Sequence, residues 1–415
     1  MIHIAVMGYG TVGSGVVEVF YKNRESIQRK IGNKPMDIKY ILDLRDFPDS
    51  PYAGKMIKDF NIIADDPDVE VVAEVMGGLE PAFSFTKTCL ERGKSVVTSN
   101  KELVAARGAE LLEIARRNNV NFFFEASVGG GIPIIRPLHS SLAANEIDEI
   151  AGILNGTTNF ILTKMIKEQM AFEDALSLAQ KLGYAERNPS ADVDGHDACR
   201  KICILASLSF GNHIYPEFVH TEGIRDITLE DVAYAGDWGG VIKLIGRAKR
   251  VSEDGGEIYA MVSPAFISND SQLSSVDDVF NGILVRGDAT GDVVFYGKGA
   301  GKLPTASAVI ADIVDAVKAT STSKSLHWKD DGNNHVLDYK QQPGAFYLRM
   351  LGGAAGIQKA RELFGEIRLL RRPGQPEEEF AFVTPLFTEA VMEDKVSELE
   401  GSGCRKLAML RVLDY

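Results

Sequence analysis

Asp197 and Lys201 stand four residues apart in the run Asp197-Ala198-Cys199-Arg200-Lys201. On a helix that spacing puts an acid and an amine on one face. On a wet surface they would form an ordinary ion pair worth about 0.3–0.5 kcal/mol. Here Ala198, Ile204 and Leu205 share the face of Lys201, and Ile202 and Cys203 fill the rest of the turn, so the ammonium is expected in or beside an apolar interior. A buried amine needs a carboxylate partner or a task. Asp197 supplies the first, and a desolvated amine of shifted pKa suits the second, proton transfer. Glu186, Asp192 and Asp194 lie just upstream on a turn-rich segment, so several carboxylates converge on the helix start, where Asp192 and Asp194 are also suited to cap it.

A second group of residues is built to hold phosphate. Gly8-Tyr9-Gly10-Thr11-Val12-Gly13 follows the apolar run Ile2–Met7 and leads into Val16-Val17-Glu18-Val19-Phe20, whose spacing predicts a helix. The glycines permit a tight turn, close approach of backbone to a pyrophosphate and close packing of helix on strand, while the N–H groups of the helix start, at Thr11 and Val12, face the anion. Strand, glycine turn and helix together read as a dinucleotide site. Asp43 closes the second apolar run and is placed to bind both ribose hydroxyls of NAD; Arg45 or Lys55 nearby would instead neutralise the 2′-phosphate of NADP. Both cofactors stay open. Thr98-Ser99-Asn100-Lys101 closes a further apolar run, where an open α/β sheet places its ligand crevice, and Lys101 reads as a ligand contact. Glu125-Ala126-Ser127-Val128-Gly129-Gly130-Gly131-Ile132-Pro133 combines an acid with exposed carbonyls, a hard-oxygen setting suited to a cation; from its residues alone it reads as a hinge.

The elements that must position these groups follow from periodicity. Strands are predicted at Val71–Val75, Ser95–Thr98 and Asn121–Phe124, with helices at Pro81–Arg92 and Gly108–Arg117 between them, as in a parallel doubly wound sheet of Rossmann type over residues 1–130. A substrate-binding and dimerisation unit of α+β character follows over 131–296, with a strand at Glu149–Leu154 and helices at Phe172–Leu182 and Asp197–Leu208. The helix Ala306–Val317, after the turn Gly297–Gly301, returns to complete the first unit over about 297–320. The polar stretch Thr320–Asn334 reads as a linker. Residues 335–415 give the order βαββαβ, a ferredoxin-like unit.

Composition bounds the function. In 415 residues, 45% hydrophobic and 25% charged residues exclude a disordered chain, and 58 Asp and Glu against 45 Lys and Arg leave a net charge of −13, which opposes nucleic-acid or anionic membrane binding. No run approaches the roughly 18 apolar residues of a membrane span, and the chain opens without a leader pattern, so a cytoplasmic location is expected. Cys89, Cys199, Cys203 and Cys404 form no C-x-x-C pair and read as reduced core thiols.

Taken together, the glycine turn, Thr98-Ser99-Asn100-Lys101, Glu125-Ala126-Ser127-Val128-Gly129, Asn155-Gly156-Thr157-Thr158-Asn159, Gly183-Tyr184-Ala185-Glu186, Asp192–Lys201 and Gly299-Ala300-Gly301 with Pro304-Thr305-Ala306 resemble homoserine dehydrogenases over about the first 320 residues. The resemblance implies NAD(P)-linked interconversion of L-homoserine and L-aspartate 4-semialdehyde, a step towards threonine and methionine. It implies Lys201 as the acid/base and Lys101 as a second functional lysine. Glu186, Asp197, Asp192 and Tyr184 would bind substrate. Gly8, Gly10, Thr11, Val12, Gly13, Asp43, Arg45, Thr98, Ser99, Lys101, Gly183, Glu186 and Gly301 would contact NAD or NADP. A sodium ion would be held by Glu125, Val128, Gly130 and Ile132, mostly through carbonyls. The mixed sheet expected in the middle unit predicts a homodimer. The last eighty residues resemble an ACT domain, a unit that could pair further to a homotetramer and that implies an amino-acid effector, threonine. That family usually places Asp, one residue and Pro-Gly after the first strand, whereas this chain has Leu351-Gly352-Gly353-Ala354-Ala355-Gly356. Two rivals need other residues: aspartate-semialdehyde dehydrogenase requires an exposed nucleophilic cysteine, and a non-catalytic sensor has no use for a buried lysine.

Overall fold

The computed structural model describes residues 1–251, 256–319 and 326–413. Its first sheet is parallel: β1 (Ile2–Met7), β2 (Met36–Leu42), β3 (Met56–Ile57), β4 (Val69–Glu74), β5 (Ser95–Thr98) and β6 (Phe122–Phe123), in the order β3-β2-β1-β4-β5-β6. This is the doubly wound arrangement, with the order reversing beside β1, where a ligand crevice forms. Ile4, Ala5, Val6 and Met7 are fully buried in succession because helices cover both faces of the sheet. One covering pair is Thr11–Lys22 against Lys302–Lys318, a helix from much later in the chain. Gly15 lets them approach: a Cβ there would lie 2.7 Å from the Lys302 carbonyl oxygen.

The second sheet is mixed. It contains β7 (Ile147–Ile153), β8 (His220–Thr221), β9 (Gly240–Arg250), β10 (Ile258–Ser268), β11 (Phe280–Gly287), β12 (Gly291–Lys298), β13 (Pro343–Leu351), β14 (Arg368–Leu370), β15 (Glu379–Val383), β16 (Phe387–Thr388) and β17 (Arg405–Leu413). The main path runs β12-β11-β7-β9-β10-β17-β13-β15-β14. The helix His196–Phe210 lies on β9 and β10, over Gly246, which leaves room for Leu154 and Ile202. The strands β13, β14, β15 and β17 with the helices Gly353–Phe364 and Glu389–Gly401 form the expected βαββαβ unit, antiparallel and ordered fourth-first-third-second, with the two-residue β16 added on β13. Its sheet is not separate, because Arg411, Val412 and Leu413 of β17 pair in parallel with Ala265, Phe266 and Ile267 of β10. No helix among the described residues is long and apolar enough to cross a membrane.

Several elements differ from their sequence expectation. The helix predicted from Gly108 begins at Lys101, because Asn100 caps it by accepting the Leu103 N–H at 3.1 Å. The last helix starts at Glu389 rather than Phe387, where the Thr388 side chain accepts the Val391 N–H. Part of the expected linker, 320–325, lies outside the described residues. In the rest, Leu326 and Trp328 are buried while the other residues to Asn334 are exposed: Trp328 is 2% exposed, meets the backbone of Gly108, and donates from Nε1 to His213 Nδ1 at 3.1 Å. We expect Gly15→Val to destabilise the protein by about 2 kcal/mol through overpacking of the two covering helices; an unchanged urea midpoint would show that the helices give way freely.

Candidate active site

The end of β7 and the start of the helix His196–Phe210 build one polar cluster inside an apolar surround. Asp197 is 3% exposed. Its Oδ2 accepts from Lys201 Nζ at 2.8 Å and from Asn155 Nδ2 at 2.9 Å, while Oδ1 lies 2.5 Å from Lys101 Nζ, an ion pair rather than an aligned hydrogen bond. Lys201, 6% exposed, also donates to the Leu154 carbonyl at 2.7 Å. Asn155 caps the helix Gly156–Glu168 through its Oδ1 and donates to Asp192 as well, at 2.7 Å. One amide thus bridges two carboxylates.

The electrostatics follow from burial and from this crowding. Burial, with the Lys101 ammonium nearby, pushes Lys201 below the ordinary lysine range in spite of Asp197. Burial would raise Asp197, yet the two ammonium groups outweigh it and hold the carboxyl well below the usual range. Lys101 is half-buried and is carried upward by Asp197 against its own desolvation. Burial raises Asp192, with Asp197 adding to it. Two amines sharing one carboxylate therefore differ in basicity, with Lys201 the more ready to release a proton.

These groups line a cleft of about 500 Å³ together with Tyr184, Glu186, Gly183 and Gly301. Glu186 is exposed, and its backbone carbonyl accepts from Gln180 Nε2. Tyr184 is 44% exposed, with its ring edge-on to Phe160. Asp194 takes neither suggested role: the helix start is capped by Gly195 without a side-chain bond, and Asp194 pairs with Arg225 at 2.5 Å.

A second cavity of about 500 Å³ opens beside Gly8, Gly10, Asp43, Arg45 and Lys58. The glycine turn fits a pyrophosphate. Gly8 has φ +99°, a Cβ on Gly13 would sit 1.9 Å from the Gly8 carbonyl oxygen, and nothing lies within 4 Å of one on Gly10. Thr11 and Val12 are the first residues of the helix. Asp43 Oδ2 accepts the Tyr9 N–H at 2.8 Å, and the Arg45 guanidinium closes on both carboxylate oxygens at 3.0 and 2.9 Å. Arg45 therefore holds the Asp43 carboxyl well below the usual range. Lys55 is elsewhere, donating to Asp37 and to the Ile38 carbonyl. The pocket's lysine is Lys58, ion-paired with Asp46 at 2.7 Å, which the sequence did not distinguish from its neighbours.

Thr98 is fully buried and bonds Glu74 at 2.6 Å and the Asn100 N–H at 2.9 Å. It shapes the turn and does not line either cavity. Ser99, half-buried, lies on the same turn directly before Lys101. At the glycine-rich segment, the Glu125 carboxylate accepts the N–H groups of Ile134, Ile135 and Arg136. Val128, Gly130 and Ile132 lie on a tight turn in which a Cβ on Gly129 would stand 2.4 Å from the Ile132 carbonyl oxygen. Glu125 thus bonds the next segment through its side chain.

Comparison with known proteins decides the family. Residues 8–125 match the family model "Homoserine dehydrogenase, NAD binding domain", and residues 133–314 match "Homoserine dehydrogenase". A homoserine dehydrogenase of Bacillus subtilis is 43% identical over 420 residues, covering 100% of this chain and 91% of its own. The chain belongs to the homoserine dehydrogenase family. A Synechocystis member is 45% identical, over 78% of this chain and 75% of its own. The crystal structure of a homoserine dehydrogenase from Thiobacillus denitrificans superposes with a TM-score of 0.89 at 34% identity, covering 100% of this chain and 98% of that one. A hyperthermophilic archaeal homoserine dehydrogenase in complex with NADPH covers 77% of this chain and 99% of its own, at 29% identity and TM-score 0.65.

Sequence reasoning passed over Asn155 as a site residue, although its position at a strand end before a helix was the available signal. For the ribose end of the pocket, we expect Asp43→Ala to free Arg45 and to impair NADH use about tenfold more than NADPH use. Equal losses in kcat/KM with the two cofactors would show that Asp43 does not read the ribose.

Proposed function

We propose that this chain catalyses the reversible NAD(P)-dependent interconversion of L-homoserine and L-aspartate 4-semialdehyde, on the path to threonine and methionine. Family membership supports the reaction, and the shared placement of Lys101, Asp197 and Lys201 in one cleft supports its location. The Gly8–Gly13 turn with Asp43 and Arg45 would hold the dinucleotide, with Gly183, Gly301, Glu186, Lys101 and the Thr98-Ser99 turn at its reactive end. A bound nicotinamide supplies or accepts the hydride. Lys201 gives its proton to the C4 oxygen as that oxygen gains charge during reduction and takes it back during oxidation. Glu186, with Asp192 and Tyr184, would bind the substrate, with Glu186 on its amino group. Asp197 would orient both lysines, and Lys101 would stabilise charge at the reacting end.

In the same reading, residues 1–130 with about 297–320 form the nucleotide unit, 131–296 the substrate and dimerisation unit, and 335–415 an ACT-like unit. The carbonyls of Val128, Gly130 and Ile132, with that of Glu125, would hold sodium, since hard oxygen donors suit it. The assembly would be a homodimer or homotetramer in the cytoplasm, with threonine the effector at the C-terminal unit.

Lys201→Ala is expected to lose turnover by at least about 100-fold while retaining nucleotide binding; undiminished turnover would remove the acid/base assignment. In the wild type, aldehyde reduction should fall with rising pH through a pKa below the ~10.4 of free lysine, as the ammonium is lost. Lys101→Met removes the neighbouring positive charge, so the alkaline limb should move to higher pH; a limb that stays in place would mean that it reports another group. Sodium should raise the thermal midpoint relative to a bulky organic cation at equal ionic strength. An unchanged midpoint would leave the turn as a hinge only.

A further inference from the structure

Lys243, on β9, is 1% exposed and takes no part in the chemistry above. Its nearest carboxylate, Asp277 Oδ1, is 3.6 Å away, too far for a hydrogen bond. Instead its ammonium donates to the Val276 carbonyl at 2.5 Å and to Asn159 Oδ1 at 3.2 Å. Asn159 is equally buried, and its Nδ2 faces the carbonyls of Val276, Asp278 and Phe280 at 3.0, 3.0 and 3.1 Å. Thr163 completes the clamp by accepting the Asp278 N–H at 3.0 Å. Three carbonyls converge on one ammonium and one amide, and the turn they form holds Asp278 at φ +52°, a left-handed conformation uncommon outside glycine but one that Asp adopts more readily than most residues.

The turn has a reason to be held. Val279 lines the cleft that contains Lys101, Asp197 and Lys201. Its carbonyl oxygen lies 2.7 Å from where a Cβ on Gly156 would stand, and the Asn281 amide lies 2.0 Å from where one on Gly299 would stand. The turn is therefore wedged between the first residue of the helix Gly156–Glu168 and the glycine segment that reaches Gly301. A buried ammonium that replaces its hydration with backbone carbonyls carries a large desolvation cost, which marks it as fixing a geometry rather than adding stability.

We propose that Lys243 is a positioning residue for the reaction: with Asn159 it sets the turn Asp277–Asn281 as the wall of the substrate and nicotinamide cleft. The inference rests on that cleft being the active site. Lys243 lines neither the cleft nor the cavity beside the glycine turn, so it would act through Val279 and Asn281.

The test is Lys243→Met in the full chain, read by steady-state reduction of L-aspartate 4-semialdehyde with NADPH and NADH and by amide hydrogen exchange. We expect KM to rise about tenfold with kcat changed by less than about twofold. Exchange should speed up at 277–281 while the helix His196–Phe210 keeps its protection. An unchanged KM in the folded variant overturns the proposal, and so does exchange that rises evenly over the whole sheet. Should Lys243→Met not fold, Thr163→Val loosens the same turn and is expected to raise KM in the same direction; no change there also overturns it. Lys201→Ala measured alongside separates the two levels. Turnover surviving in that variant means that the active-site reading has failed, whereas turnover lost there with KM indifferent to the turn means that only the positioning role has failed.

Discussion

One buried carboxylate, Asp197, lies between two ammonium groups, and the arrangement of the molecule is organised around keeping it there. Unit charges at about 4 Å interact by roughly 4 kcal/mol at an effective dielectric of 20, so two lysines this close would force each other apart or lose a proton without the acid. The three groups come from different parts of the chain. Asp197 and Lys201 sit on the helix that covers β9 and β10, while Lys101 begins the helix that follows β5 of the other sheet. The ion triad therefore requires the two sheets to be docked, which a hydrophobic cluster common to both provides. It also divides the basicity: the deeper amine is lowered and the shallower one raised, which is the asymmetry that proton transfer needs.

The second constraint is close approach of backbone. Gly13 meets the Gly8 carbonyl, Gly130 meets Gly299, Gly156 meets Val279 and Gly299 meets Asn281 at distances no Cβ would permit. These contacts run from the dinucleotide turn to the cleft, where main-chain N–H and C=O groups are fixed in direction.

What the sequence made legible follows from these physical terms. The glycine turn between strand and helix and the acid–amine pair at i, i+4 are local patterns, and their structural settings match the expectation. Asn155 and Lys58 were not legible in their roles, because an amide that bridges Asp192 to Asp197 across roughly forty residues, or a lysine that meets a pocket while Lys55 turns away to Asp37, is decided by tertiary packing. The linker reading of Thr320–Asn334 missed two buried anchors, Leu326 and Trp328, for the same reason. Its polar composition is ordinary for a loop, but Trp328 finds a slot that Gly108 leaves open. The C-terminal unit was legible as βαββαβ from alternation alone. That its last strand extends the central sheet was not, since edge pairing leaves little mark on the pattern of either strand.

That extension gives the C-terminal unit a direct mechanical hold on the site. Arg411 of β17 donates to both oxygens of Glu222 at 2.8 and 2.9 Å and also pairs with Glu389 of the last helix. Glu222 precedes Gly223, where a Cβ would stand 2.3 Å from the Val193 carbonyl oxygen, and Ile224 donates its N–H to that same oxygen at 2.9 Å. Val193 lies between Asp192 and the helix start that carries Asp197. The path from Arg411 to the cluster thus consists of one bidentate ion pair and two backbone contacts, with no long flexible side chain after the first step. Breaking the Arg411–Glu222 pair would leave a largely buried guanidinium one partner short. The Arg411–Glu222 pair thus links the last strand to the turn that precedes the helix carrying Asp197.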